Sequence, residues 1–387
     1  MRIPYRKILI WLVVVLILVA VVYRSRHMLH SQDFSWTKLK TAVHEAKLTY
    51  LLGALVAMYV AYFIRAIRWK RFSRFLGPSS VLGIYRATLI GFSSVFLLGR
   101  AGEPVRPLLI AKKEKLPAAA MFGTYLLERL FDTAATAVFL GVTLIFFPHM
   151  LISAGADEDT ISHVRVAGIT LLGIIVAAVA FLIYFRLHGS GAIERRLDGW
   201  RSRQGWRAKF AAGFSGFSDG LHAIRSYADL AEGLFYTAAH WGLMIFIFYW
   251  IAHAFGGDLG DVTIPGTMFV LGFTMIGSFL QLPGVGGGSQ VASFLAFSYG
   301  LGIDNEPSAA AAIVLWLITF AGVSLIGIPL LIHEGWSMGE LRQLARAEAE
   351  AESKGKHLTE RLVPDLASNA PKHHKPPHAD KDKDAKK

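Results

Sequence analysis

The stretch "LLGRAGEPVRPLLIAKKEK", residues 97–115, decides how this chain folds. It follows an apolar run, residues 87–99, that is suited to lipid, and then carries Arg100, Glu103 and Arg106 with Pro104 and Pro107 among them. A charge at mid-bilayer costs about 2.5–3.5 kcal/mol on insertion scales. Non-helical backbone persists at that depth only when protein or a water-filled cavity surrounds it. Gly99 and Gly102 permit a sharp break, and Pro104 suits the first turn of a new helix. The pattern therefore predicts a broken helix whose second half begins near Glu103 or Pro104. Its free N–H groups and positive dipole end would attract an anion. Arg100 and Arg106 would add planar forks suited to phosphate, and Glu103 would hold one arginine in an ion pair. The alternative is an interfacial loop whose charges pair among themselves.

The rest of the chain supports a membrane setting. Of 387 residues, 53% are apolar and only 18% charged, and mean hydropathy is +0.44. Soluble domains carry about 25% charged residues, and here the apolar residues come in long unbroken blocks. No dyad alternation suggests a β-barrel. The net charge of +12 sits beside the apolar blocks, which points to topology and anionic lipid rather than nucleic acid. With no cysteine, disulfides and thiol catalysis are excluded.

An all-α polytopic architecture follows. Full spans are expected at 8–23, 50–67, 117–147, 164–185, 234–255 and 309–332, the first being an uncleaved anchor rather than a signal peptide. Two further blocks are interrupted, residues 85–115 at "GRAGEP" and 264–301 at "LPGVGGGSQ". The loops 148–163, 256–263 and 302–308 hold Asp and Glu but no Lys or Arg, whereas 68–86, 112–115 and 186–233 are basic. If both broken blocks crossed the bilayer, 112–115 and the basic loop 186–233 would lie outside and the acidic stretch 157–159 inside, against the positive-inside rule; as re-entrant hairpins they leave every loop after the second span obeying it, and the basic segment 24–48 is the exception under either scheme. Both termini are then cytoplasmic in a cell inner membrane. Two span–hairpin–span units also become inverted copies, a plan common to transporters. Residues 1–48 read as an anchor span and outer loop, and 49–335 as the membrane domain. Residues 336–387 read as a charged, largely disordered tail, in which His373, His374 and His378 belong to a solvated segment.

Three other clusters carry ionisable or helix-breaking residues. "YLLERLFDTAATA" places Glu128, Arg129 and Asp132 inside a span, with Glu128 and Asp132 on one helix face. Such groups face the protein interior or water. They serve a lipid phosphate or a proton path, or they pair structurally with Arg100 or Arg106. In "QLPGVGGGSQ", Pro283, Gly284, Gly286, Gly287 and Gly288 break a helix and Ser289 is placed to cap the next one. This is an anion-binding turn or a hinge, and it lacks the Lys-Ser/Thr ending of a Walker loop. "RAIRWKRF" reads as an aromatic–basic anchor at a span end, with Arg65 and Arg68 placed to receive head groups. His240, Trp241 and Trp250 read as packing or anchor residues. No catalytic triad, zincin helix or acidic glycosyltransfer motif is present, and no cofactor is expected.

The order "RAIRWKRF … GRAGEPVR … LLERLFD … LPGVGGG" resembles the lysylphosphatidylglycerol synthase transmembrane-region family of flippase-like membrane proteins, over residues 50–335. In the family an Asn and a Pro precede the first motif where this chain has Ser94 and Leu98, and a Glu follows the glycines where it has Gln290. Two-domain members add a soluble aminoacyl-transferase domain; the resemblance here implies the stand-alone membrane part. That implies a non-enzymatic translocase of an anionic or phosphate-bearing amphipathic lipid. Arg68, Arg100, Glu103, Arg106, Glu128, Arg129, Asp132, Pro283, Gly284, Gly286, Gly287 and Gln290 would then contact substrate. The expected partners are that lipid and the bilayer, with self-association left open. A membrane-embedded head-group transferase and a non-catalytic subunit of an envelope-lipid pathway are the alternatives.

Overall fold

The structure is a computed structural model that describes residues 35–148, 157–188, 224, 226–282 and 286–335. The expected first span, the tail with its histidines, most of the basic loop 186–233, and Pro283 and Gly284 lie outside the described residues. The described chain is helical: α1 Trp36–Glu45, α2 Leu48–Ser73, α3 Val81–Leu98, α4 Val105–Glu114, α5 Ala118–Phe146, α6 Glu158–His188 and α7 Tyr227–Phe255. After it come α8 Ile264–Gly277, α9 Gly288–Leu295, α10 Asn305–Trp316 and α11 Ser324–His333. A π-helical turn, Leu317–Ala321, joins α10 to α11. Residues 36–45, within the segment read as an outer loop, form α1, whose start is capped by the Ser35 hydroxyl accepting from Lys38 N–H.

Lipid as solvent explains which faces point outward. On α2, Leu52, Val56, Val60 and Phe63 are exposed at helical spacing, while Ala54, Ala57, Met58 and Ala61 are buried. Small residues inside let backbones approach closely. α2 and α7 pack antiparallel: Lys47 N–H donates to Ala254 carbonyl at one end, and Gly233 lies against Phe72 at the other. α5 and α6 are likewise antiparallel, with Gly141 against Leu172 and Gly168 against Leu144.

Both interrupted blocks double back. Residues 81–102 are long and apolar enough to cross a membrane, yet α4 returns along α3. Ser80 N–H donates to Glu114 Oε2 (2.6 Å), and a Cβ on Gly91 would overlap Arg106. At the tip, Gly99 has φ +64°, and a Cβ on Gly102 would overlap the Ser94 carbonyl. Glycine is required at both positions. The half-helix starts at Val105, so Pro104 is its N-cap rather than part of its first turn, within a residue or two of the start read from the sequence. The second hairpin pairs α8 with α9: Thr274 Oγ1 lies 2.7 Å from Ser293 Oγ, and Gly277 faces Gly288. Its turn is closed by a short antiparallel bridge, Gln281 opposite Gly287 and Leu282 opposite Gly286.

These contacts define two ends. One carries Arg71, Arg74, Lys112 and Lys113, and there α2 stops, the first hairpin begins and ends, α5 starts and α11 finishes. The other carries Glu158, Asp159, Asp258, Asp261 and Glu306, and there the second hairpin begins and ends. The two hairpins thus enter from opposite ends, and their tips touch: Arg100 Nη2 donates to Ser278 carbonyl at 3.4 Å and its guanidinium lies 4.4 Å from the Phe279 ring centre. The inverted span–hairpin–span plan is present in this topology.

Candidate functional site

The buried face of α2 continues through Ala61, Arg65, Arg68, Trp69 and Phe72. Two arginines therefore enter the core by helical periodicity alone. This corrects the reading of Arg65 and Arg68 as an interfacial anchor: Arg68 is 0% and Arg65 6% exposed. α5 meets them with Glu128 and Asp132, one turn apart on its inner face. Arg65 reaches Glu128 Oε1 and Asp132 Oδ2, each at 3.1 Å, and Arg68 reaches the same carboxylates at 3.1 and 2.8 Å. From the return arm of the first hairpin, Arg106 also pairs with Glu128. Its guanidinium lies 4.8 Å from the Trp69 ring centre, 5.1 Å from Phe92 and 5.6 Å from Tyr125, a cation–π sleeve.

α7 completes the cluster with His240 and Trp241, read from sequence as packing or anchor residues, and with Thr237, which the sequence reading missed. His240 Nε2 lies 2.9 Å from Arg65 Nη2, Trp241 Nε1 donates to Asp132 Oδ1 (3.2 Å), and Thr237 Oγ1 accepts from Arg68 Nη1 (2.7 Å). The available signal was their 3–4 spacing within an apolar run, which puts all three polar groups on one face. Trp250 is a packing residue against Gly53, as expected.

Formal charge does not cancel here. Three buried guanidiniums face two buried carboxylates, so one positive charge remains. Arg129, half-buried on the same helix, makes no hydrogen bond or ion pair among the described residues and stacks 5.2 Å from Tyr125. The Nε groups of Arg65, Arg68 and Arg129 are buried without hydrogen-bond partners among the described residues. Burying donors and surplus charge in this way is costly unless an anion answers them.

Arg100 and Arg106, read together from the sequence as phosphate-binding forks, occupy different surroundings. Arg106 is 3% exposed and shut inside the ionic cluster, whereas Arg100 is exposed at the hairpin tips. Glu103 pairs with Arg100 (3.7 Å), not with Arg106, and accepts the Tyr125 hydroxyl. Tyr125 therefore links the two places: its hydroxyl holds the tip, and its ring touches Arg106 and Arg129. At the glycine break, Gly286 and Gly287 have φ +83° and +118°. The N-cap of α9 is Gly287, and Gln290 Oε1 accepts its N–H. Ser289, expected as the cap, sits inside the first turn. Gly286 also lies against Trp316, whose ring stacks near Phe96 of the first hairpin, at 6.0 Å between ring centres. Gly286, Gly287 and Gln290 thus belong to the tip junction, and Arg68, Arg106, Glu128 and Asp132 to the buried cluster.

A separate ion-pair group at the basic end is structural. Arg71 and Arg74 reach Glu232 at 3.3 and 3.1 Å, and Arg74 also reaches Asp229. These pairs are partly solvated, so Glu232→Ala is expected to lower stability by less than about 1 kcal/mol. A thermal melt in detergent checks this; a loss comparable to breaking the buried cluster would contradict the division drawn here.

The model of the lysylphosphatidylglycerol synthase TM region family matches residues 8–327. A UPF0104 membrane protein from Methanothermobacter thermautotrophicus is 24% identical over 325 residues, which cover 78% of this chain and 90% of that protein. No solved structure matches the chain.

Proposed function

This chain belongs to the lysylphosphatidylglycerol synthase TM region family, a multi-pass integral membrane family, and from that premise we propose that it moves an anionic, phosphate-bearing lipid between the leaflets of a cytoplasmic membrane. The observation that carries this reading is the uncompensated positive charge of Arg65, Arg68 and Arg106, buried beside two hairpin tips that meet from opposite ends. A phosphate supplies the missing negative charge and accepts from planar guanidinium forks. The lipid tails stay in the bilayer while the head group passes.

Each residue has a part in this proposal. Arg100 and Arg129, being more accessible than Arg106, meet the head group first. Opening of the tip junction, through Tyr125 and Glu103, brings it to Arg106. Glu128 and Asp132 fix the guanidiniums in place, and rocking of the inverted units alternates access. Gly286, Gly287 and Gln290 hold the opposing tip. No chemical step on the lipid is needed, so the chain acts as a translocase rather than an enzyme. A head-group transferase would need a carboxylate free to move protons. Glu128, with three guanidiniums around it, is poorly suited to that.

The test is reconstitution in liposomes with a fluorescent phosphatidylglycerol and a quencher confined to the outer leaflet. Exchange is expected above the protein-free rate in wild type. It is expected to fall to the protein-free rate in Arg106→Gln protein that elutes like wild type. Undiminished exchange in that variant would remove the site, and a mass change of the lipid would replace transport by catalysis.

A further inference from the structure

The last span straddles the two inverted units. By chain order α10 and α11 both belong to the second unit, and α10 packs on α9 and α7 of that unit. Ser298 Oγ, just after α9, donates to Asn305 Oδ1 at 2.7 Å, and Gly286 of the second hairpin lies against Trp316. α11 instead packs on α3 of the first hairpin. A Cβ on Gly327 would overlap the Leu89 carbonyl and the Ser93 hydroxyl, and Glu334, just after α11, pairs with Lys113 of α4. Each half of one span is thus fastened to a different hairpin.

Between the halves lies the π-helical turn Leu317–Ala321, none of whose residues is buried. Gly322 N–H closes it by donating to the Leu317 carbonyl at 2.6 Å. Turns of this kind kink a helix and recur at functional sites, and thinly packed segments are the first to open. The other π-helical turn, Ala296–Gly300, is held in place, since its Ala296, Phe297 and Gly300 are buried. Two tyrosines of α2 hold the looser turn from outside. Tyr59 Oη donates to the Gly322 carbonyl at 2.6 Å and Tyr62 Oη to the Thr319 carbonyl at 3.4 Å. Inside a bilayer, side chains of neighbouring helices are what answer the backbone of a broken helix. The ring of Phe96, near the tip of the first hairpin, lies 6.0 Å from Trp316 and 5.9 Å from Phe320. A bend at this turn therefore changes how the two tips meet.

We propose that the Leu317–Ala321 turn is a hinge, latched by the hydroxyls of Tyr59 and Tyr62, about which α11 swings with the first hairpin while α10 stays with the second. The hinge rests on the reading that the two units rock, and it supplies the joint that such rocking requires in a span fastened to both hairpins.

The experiment is pulsed electron paramagnetic resonance on the full-length protein in liposomes containing phosphatidylglycerol. The chain has no cysteine, so Ile313→Cys on α10 and Ile332→Cys on α11 place spin labels at those two positions alone, and both side chains are exposed. With both tyrosines present, one major distance and a minor second one are expected. Adding Tyr59→Phe and Tyr62→Phe keeps the rings but removes two hydrogen bonds, and is expected to raise the minor fraction roughly tenfold. Tyr59→Phe alone, at a half-buried position, is expected to raise it several-fold and serves if the double variant does not fold. A pair within one moving body, Leu82→Cys on α3 with Ile326→Cys on α11, is expected to keep a single distance throughout. A single distance between positions 313 and 332 that ignores the loss of the hydroxyls would overturn the hinge, as would an equal shift in the 82–326 pair. Leaflet exchange in the same samples separates the two claims. A shifted distance without exchange in any of these proteins keeps the hinge and removes the transport reading, whereas exchange with a fixed distance removes the hinge alone.

Discussion

Glu128→Gln protein is expected to be destabilised by about 3–5 kcal/mol, the usual consequence of removing one partner from a buried ion pair. Glutamine keeps the shape and can still accept a hydrogen bond, but it carries no charge. Arg65, Arg68 and Arg106 would then face Asp132 alone, and the positive surplus would rise from one to three minus one, that is to two. Arg106→Gln does the opposite: two arginines face two carboxylates and the formal charge cancels. The cluster model therefore predicts an asymmetry. Glu128→Gln should lose most of its monodisperse fraction after mild heating in detergent, whereas Arg106→Gln should melt closer to wild type. An equal loss in both would mean that packing around the side chains, not charge balance, sets their importance.

Gly277→Val should have an effect of similar size for a different reason. A Cβ on Gly277 would run into the carbonyl of Gly288 and the methyl of Ala292, so any side chain there overlaps backbone on the returning arm. Backbone cannot step aside as a flexible side chain can. Overpacking of a tight contact costs about 1–3 kcal/mol and occasionally more, and here relief requires parting α8 from α9 and with it the tip that Arg100 touches. Gly242→Ala is the control. Nothing lies within 4 Å of a Cβ at that position in α7, and alanine in a helix interior is favoured over glycine by about 0.5–1 kcal/mol. Its melting point should hold or rise. If Gly277→Val melted like Gly242→Ala, the close apposition of the hairpin arms would be wrong.

The two predictions mark the two structural devices on which the transport proposal depends. One is a charged interior that still requires a counter-ion. The other is a pair of broken helices that meet from opposite ends. Neither device alone moves a head group. Tyr125 joins them, with its hydroxyl on Glu103 at the tip and its ring beside Arg106 and Arg129. A guest that displaced the Arg100–Glu103 pair would disturb the same tyrosine that shields the buried arginine.

The sequence by itself determined the membrane class, both interruptions and the half-helix at Pro104, because hydropathy and chain-breaking are local properties. Loop charge also favoured hairpins over crossings at 85–115 and 264–301, and the arms do return on themselves. Glu128 and Asp132 were legible as one face of one helix. What only the tertiary structure decided was the partner of each charge. Arg106 rather than Arg100 meets Glu128, Glu103 turns to Tyr125, and Arg65 reaches His240 across 175 residues of chain. Those choices depend on how α2, α4, α5 and α7 are rotated about their axes when packed, and no local stretch of sequence contains that rotation. For the same reason an arginine pair beside Trp69 read as an interfacial belt from its neighbours in sequence, and became a buried ionic core once its neighbours in space were in place.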